Sequence, residues 1–460
     1  MQLFPITNSL GLALRHRRQQ LSNLINFPAI LWSGCSVSRN YPANTFSFRA
    51  SSHFLYFAGL PLENAAIRIE KGKLELFMDD APASSAMWHG ETLTRSQIAE
   101  IIQADAAYPM TELAARSAGA GTIAVQNYIT QQQQSKILDR AIFPTATPQG
   151  IDLELTKAII SLRLTHDTAA LAELRQAAAC TVKAHKAGII ASSTAKNEAE
   201  IRAAMESVII AHNMTTAYPS IVTVHGEVLH NQEYHHPILP GDLLLADVGA
   251  ETALGWAADI TRTWPVNGKF SPTQKDIYQL VLAAHDACIA QIKPGVEYRD
   301  IHLLACQIIA TGLVDLGILK GKPEDLVEID AHALFFVHGI GHLLGLDVHD
   351  MEDFWDLAGY EAGRVRSDRF GLCYLRLNRP LRPGMLVTIE PGFYQVPAIL
   401  NNPENRVKYQ EVVNWDNLAK FADVRGIRIE DDVLVTERGT EILTIDLPNK
   451  LEEIENLVNS

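Results

Sequence analysis

LLLADVGAETALGWAADITRTW, residues 243–264, decides how the rest of the chain is read. It reads as two β-strands joined by a Gly-containing turn. The first, LLLADVGA, is an apolar run interrupted by one carboxylate, Asp247. The second, WAADITRTW, carries Asp259 between Ala258 and Ile260. The aspartates are 259 − 247 = 12 residues apart. In a hairpin they face each other across adjacent strands, about 5 Å apart at Cβ. An ionised carboxylate among apolar residues is costly unless it is paired or binds a metal. Two facing carboxylates repel, so a cation is expected between them. The competing reading is a strand pair with exposed aspartates, or Asp259 paired to Arg262. The hairpin alone does not choose between them.

Working outward, 460 residues exceed one ordinary domain and point to two or three. Hydrophobic residues make up 47% and charged residues 20%, enough for a sizeable core. A net charge of −14 with no Lys/Arg stripe argues against a nucleic-acid partner. Five scattered cysteines, none in CxxC spacing, fit small buried hydrophobes in a reducing compartment. No apolar run reaches the length of a membrane span. In MQLFPITNSLGLALRHRR the positive charges follow the apolar part, the reverse of a secretory signal. The expectation is an ordinary N-terminal segment and a cytoplasmic protein.

Before the hairpin, residues 12–26 have helical spacing and PAILWSGC (28–35) reads as a buried strand. SSHFLYFAG (51–59) is aromatic-rich and strand-like. Residues 66–70 and 73–78 predict a hairpin across Lys71-Gly72. A helix is expected over 94–103, a strand over 121–127 and a helix over 130–141. This alternation indicates an α/β domain. His53 and His89 stand singly and read as structural. TATPQG (145–150) is a turn-rich break. Three helices follow, with Asp167 as an N-cap and Lys196-Asn197-Glu198 opening the third. The expected domains are residues 1–165 and 166–460. Beyond the hairpin, helices are expected at 274–292 and 300–316, strands within 382–394 and 426–437, and a short helix at 451–458. Residues 354–376 are polar, Gly-rich and without a clear period.

Three further groups sit in apolar surroundings: His342 in GIGHLLGL, Glu390 in LVTIEPGF and Glu430 in IRIEDDVLV. Singly each has a plain structural explanation. His342 fits a core imidazole, Glu390 a strand end before Pro391-Gly392, and Glu430 a partner for Arg428. Together, and in this order after the hairpin, they are far more specific.

DxGAE…ADITRT, HGIGHLLGLDVHD, TIEPG and RIEDD resemble the dinuclear-metal peptidases of the pita-bread fold, a family that includes methionine aminopeptidase, prolidase and aminopeptidase P. The early residues FRASSHFLYFAGLP, LFM and AMWHGET are similar to the N-terminal domain of its aminopeptidase P (M24B-like) branch. The resemblance implies an α/β N-terminal domain and an α+β pita-bread catalytic domain. Its ligands fall on Asp247, Asp259, His342, Glu390 and Glu430. Asp259 and Glu430 are expected to bridge two divalent metal ions, with Asp247 on one and His342 and Glu390 on the other. An oxygen-rich set with one imidazole suits Mn²⁺, with Co²⁺ or Zn²⁺ as alternatives. A hydroxide shared by two metals is the implied nucleophile, with Glu390 handling its proton. His230, His338 and His349 match substrate-side positions, the last two as hydrogen-bond donors to substrate carbonyls. His338 and His342 stand four apart, but position 339 is Gly, so the HExxH reading fails. His235 and His236 read as a polar loop.

The activity so implied is release of the N-terminal residue from peptides with proline at the second position. A prolidase cleaving Xaa-Pro dipeptides is the rival, with Arg376 as its carboxylate anchor. A non-catalytic binding module is disfavoured because all five ligands are present. The resemblance also implies a homodimer or homotetramer, the assemblies this family often forms. One departure stands out: the segment between Asp247 and Asp259 is one residue longer than usual, near Thr252–Gly255.

Overall fold

A computed structural model describes residues 8–145 and 147–460. Met1–Thr7, the head of the expected N-terminal segment, and Ala146, inside the 145–150 break, lie outside the described residues. The chain divides into two compact units. The first contains the residues up to Ala172 together with Ala253–Gly255 and Met351–Ala358. The second contains Glu173–Thr252, Trp256–Asp350 and Gly359–Ser460.

In the first unit, β1 (Ala29–Trp32), β2 (Ala66–Glu70), β3 (Lys73–Phe77), β4 (Ala106–Tyr108) and β5 (Gly121–Thr122) form one mixed sheet in the order β4-β3-β2-β1-β5. The expected hairpin is present. Lys71 and Gly72 both take positive φ, 52° and 77°, the tight-turn geometry that suits twisted strands. Ile30, Trp32, Ala66, Phe77, Leu113 and Ala120 form a core on the sheet. The expected helix over 94–103 runs Arg95–Ile102 behind a Thr94–Gln97 capping box.

Two expectations in this unit need correction. SSHFLYFAG is not a strand but the helix Ser52–Ala58, ended by Gly59 at φ 72°. All seven of its residues are buried, so its aromatic content reports burial and not backbone shape. The strand expected over 121–127 stops at Thr122. Beyond it the Gln134 side chain takes over the backbone, accepting from Val125 N at 3.1 Å and donating to Ile123 O at 2.8 Å. His53 is structural as expected, with Nε2 2.9 Å from Asp353 and Nδ1 2.8 Å from Arg163. His89 is exposed.

The three helices past the break run Gly150–Arg163, Thr168–Ala191 and Glu198–Ala211. Asp167 accepts from Ala170 N at 2.9 Å and Asn197 from Glu200 N at 3.1 Å, which satisfies donors that a helix start leaves open. In the second unit, β6 (Thr215–Thr216) pairs with β9 (Ala250–Glu251). β7 (Ile221–Thr223), β8 (Leu243–Asp247) and β10 (Thr261–Pro265) form a sheet ordered β10-β8-β7. β11 (Leu386–Ile389), β14 (Asp431–Val435) and β15 (Thr440–Ile442) form another, and β12 (Gly392–Tyr394) pairs with β13 (Gly426–Arg428). A Thr261–Glu430 bridge joins β10 to the β13–β14 junction. Helices Pro272–Gln291 and Tyr298–Asp315 pack on each other, and the first also lies against β11, β12 and β13.

Candidate metal centre

The first correction concerns the founding hairpin. Its strands pair with Thr261 opposite Asp247, and Val248 N bonds to Ile260 O at 3.1 Å. Asp259 therefore precedes β10 and is offset from Asp247 by two residues, not opposite it. The second strand starts five residues later than Trp256. Between the strands the chain leaves to form β9 and returns close to itself. A Cβ on Gly249 would stand 1.9 Å from Ala258 O, so only glycine fits there. In the long turn near Thr252–Gly255, Gly255 O accepts from Arg49 at 3.2 Å.

Despite the offset the carboxylates converge. The Tyr218 hydroxyl lies 2.6 Å from Asp247 Oδ1 and 2.5 Å from Asp259 Oδ1. Asp259, His342 and Glu430 are buried, and each offers a ligand atom within 4.8 Å of the other two. His342 and Glu390 arrive together because residues 340–344 run antiparallel to 386–390. Glu390 N bonds to Ile340 O at 2.8 Å and Thr388 N to His342 O at 3.0 Å. A Cβ on Gly341 would meet Thr388 O at 2.2 Å, so the glycine before His342 permits this approach. His342 Nδ1–H donates to Leu343 O at 3.0 Å, which leaves Nε2 as the ligating nitrogen. That Nε2 is 3.5 Å from Asp259 and 3.6 Å from Glu390.

The electrostatics call for cations. Burial, then the Asp247 charge, drives the Asp259 pKa well above the carboxylate range. Burial, then Asp259 and Glu390, does the same to Glu430. Burial lifts Glu390 to about 7. Buried carboxylates that resist ionisation one beside another, with one imidazole held in the ligating tautomer, fit a pair of divalent cations.

Several residues of the site were not singled out from sequence. Arg428, which sequence reading could only pair with Glu430, reaches Asp247 Oδ2 at 2.6 Å, Thr261 Oγ1 at 2.9 Å and the Tyr394 hydroxyl at 2.9 Å. Thr261 Oγ1 donates to Glu430 Oε2 at 2.7 Å. Arg262 is not a partner of Asp259. It pairs with Asp431 at 2.8 Å and donates to Glu430 O at 2.7 Å, so it braces the backbone that presents Glu430. The alternation of RIEDD placed Glu430 and Arg428 on one face and held the available signal; Tyr218 and Tyr394 carried none.

The substrate-side histidines divide. His349 packs its ring edge-on to His342 at 4.3 Å, and its Nδ1 accepts from Arg376 at 2.6 Å, so Nε2 carries the proton. His230 is exposed and makes no hydrogen bond to the described residues, yet lies within reach of the charges of Arg428, Asp247, Arg376 and His349. His338, expected as a donor to substrate, is engaged here within the protein. Its Nδ1–H faces Gly339 O at 2.8 Å and lies 3.6 Å from Glu390, and its Nε2 accepts from Tyr394 at 2.8 Å. Burial holds its pKa at about 3, so the ring is neutral with both nitrogens engaged inside the protein. Within the unassigned stretch, Arg364 pairs with Glu297 and Glu361, Arg366 donates to Cys373 O and Leu375 O, and Arg369 pairs with Asp330. These ties order the stretch, and its last residue, Arg376, reaches His349.

Residues 172–437 match metallopeptidase family M24, and residues 14–123 match the aminopeptidase P N-terminal domain. A probable Xaa-Pro aminopeptidase of Uncinocarpus reesii is 32% identical over 425 residues, spanning 89% of this chain and 85% of that protein. One from Fusarium vanettenii is 33% identical over 420 residues, 90% of this chain and 88% of its own. Among solved structures, aminopeptidase PepP of Pseudomonas aeruginosa superposes with a TM-score of 0.80 at 28% identity over 98% of both chains. Aminopeptidase P of E. coli with the inhibitor Pro-Leu gives 0.78 at 27% identity, again over 98% of both.

Proposed function

The chain belongs to metallopeptidase family M24, as an aminopeptidase P of the pita-bread fold, and on that premise we propose that Asp247, Asp259, His342, Glu390 and Glu430 hold two divalent metal ions. It is a metal-dependent aminopeptidase with an α/β N-terminal domain and an α+β catalytic domain. We assign these domains to residues 1–165 and 166–460. The proposed substrates are peptides with proline at the second position, as the names of its relatives say of those proteins. The observation that carries the ligand assignment is the meeting of Asp259, His342 and Glu430 within 4.8 Å in a buried place.

When bound, two such ions supply Lewis acidity at the scissile carbonyl and acidify the attacking water. Mn²⁺ is our choice, because four carboxylates and one imidazole form an oxygen-rich set. The protein's own groups do the rest. Asp259 and Glu430, which meet with His342 within 4.8 Å, would be the carboxylates shared by the two ions. Glu390 takes the proton of the attacking water and passes it to the departing nitrogen. That nitrogen is a proline tertiary amide without an N–H, so shape must recognise it. His338, 3.6 Å from Glu390, lines the same site as a further candidate for contact with the substrate. His349, held by Arg376 with its proton on Nε2, donates toward the substrate carbonyl. His230 supplies an unengaged imidazole at the site.

A reducing compartment and a cytoplasmic location complete the proposal. Its support is five free cysteines and the absence, among the described residues, of a helix long and apolar enough to cross a membrane. A homodimer or homotetramer is proposed from family resemblance. The deciding experiment compares an Xaa-Pro dipeptide with an Xaa-Pro-Xaa tripeptide, with Mn²⁺ added and Asp259→Asn as control. Cleavage of the tripeptide is expected. Preference for the dipeptide would make the protein a prolidase and Arg376 its carboxylate anchor. Cleavage of neither would overturn the substrate assignment.

A further inference from the structure

Glu198 is a carboxylate with no exposure, and the reaction described above makes no use of it. It stands in the first turn of the helix Glu198–Ala211. Burying a carboxylate is costly unless its lone pairs are met. Here four donors meet them. Oε1 accepts from Thr223 Oγ1 at 2.9 Å and Val224 N at 2.8 Å. Oε2 accepts from His236 N at 3.2 Å and His236 Nδ1 at 2.8 Å.

Those donors come from two places in the chain. Thr223 and Val224 begin the loop that leaves β7, and His236 ends it. One side chain therefore closes a loop of 236 − 224 + 1 = 13 residues at its neck. Backbone bonds reinforce the neck: Glu198 N to His236 O at 3.2 Å and Ala199 N to Tyr234 O at 3.0 Å. The loop carries His230 near its middle. A second line of contacts runs from the carboxylate into the loop. Thr223 Oγ1, which donates to Glu198, accepts from Asn231 Nδ2 at 2.9 Å. Asn231 is buried and adjoins His230, whose ring makes no hydrogen bond to the described residues. The backbone that carries His230 is thus anchored one residue away, at Asn231, which is tied through the Thr223 hydroxyl to Glu198.

We infer that Glu198 is a positioning residue for the peptidase reaction: it closes the Val224–His236 loop and, through Thr223 and Asn231, aims His230 at the substrate. The inference rests on the reading that His230 touches substrate. Glutamine at 198 keeps the shape and one acceptor oxygen, but its amide nitrogen cannot accept from His236. The neck then loosens while the metal ligands are untouched.

A double-mutant cycle on the Mn²⁺-loaded full chain, with an Xaa-Pro-Xaa tripeptide, tests this. His230→Ala is expected to lower kcat/KM about tenfold. Glu198→Gln is expected to lower it about threefold to tenfold, chiefly through KM, because the lost contact is a binding one. The double variant should be no worse than His230→Ala within about twofold, since the two act as a unit. Losses that multiply would overturn the inference and leave Glu198 a plain structural group. An unaffected His230→Ala would overturn the reading of His230, and with it the inference, while wild-type turnover would keep the peptidase assignment standing. Should Glu198→Gln fail to fold, His236→Ala takes its place in the cycle, because it removes one donor at a part-exposed position.

Discussion

Arg428 Nη2 lies 2.6 Å from Asp247 Oδ2, deep in a site otherwise crowded with negative charge. The guanidinium also reaches Thr261 and Tyr394, and through them Glu430 and His338. One side chain thus ties together two proposed ligands and the histidine beside a third. A lysine could keep the charge but could not hold three partners from a fixed plane.

Arg428→Lys is accordingly expected to fold and to lose about 10²-fold in kcat/KM, a loss that places misdirected ligands within the usual range for site geometry. Steady-state kinetics with a tripeptide and a thermal melt check it. Activity within a few-fold of wild type would show that the charge alone matters at this position.

Asp259→Asn removes a charge between the other ligands. Its expected loss of turnover is about 10³-fold or more, because a metal pair without its bridge is not held in place for the reaction. The fold should survive, since the asparagine relieves repulsion from Asp247 that the wild-type carboxylate suffers. Metal content by elemental analysis and circular dichroism read the two halves of this expectation. More than trace turnover would count against a bridging role.

Stripping metal should lower the melting temperature. Four carboxylates then share the site with the Arg428 guanidinium as counter-charge, too little for four, and any ion that binds only the folded protein stabilises it by mass action. A drop of roughly 5 °C or more is expected for a site held well above its dissociation constant. Calorimetry with and without chelator, with metal loss verified, measures it. An unchanged melting temperature would speak against tight binding in the folded state.

A pH effect on stability is expected from a buried histidine outside the metal site. His302 donates from Nε2 to Gly371 O at 2.8 Å, and burial lowers its pKa from 6.5 to about 4. The unfolded chain therefore binds the proton first. This contribution is complete above pH 6.5, is lost as pH falls toward 4, and is flat below that. Its size is of order 3 kcal/mol. Denaturant titrations at several pH values should show a shallower acid loss in His302→Gln, which can still donate but does not titrate. Equal slopes in the two proteins would refute the assignment.

The five proposed ligands and the family were legible because they lie in short local patterns. Each is a polar residue set in an apolar run, and an uncompensated charge in such a place is too costly to be accidental. The helix Ser52–Ala58 was not legible. Aromatic and β-branched residues signal a buried surface, and here the whole element is buried, so no period distinguished helix from strand. The end of β5 at Thr122 was hidden for another reason: a side chain twelve residues on, Gln134, does the work of a neighbouring strand.

Local pattern alone thus determined the element types along most of the chain, the order of the proposed ligands and the chemistry that a carboxylate-rich set implies. Tertiary structure decided their register and partners. It offset Asp259 from Asp247, gave Arg428 to Asp247 and Arg262 to Asp431, engaged both nitrogens of His338, and set His230, with no hydrogen bond to the described residues, on a loop closed by Glu198. The physical reason is range. Burial and periodicity act over a few residues and are written in sequence. A hydrogen bond at 2.6 Å between residues 181 positions apart depends on how every strand between them pairs, and only the folded chain carries that information.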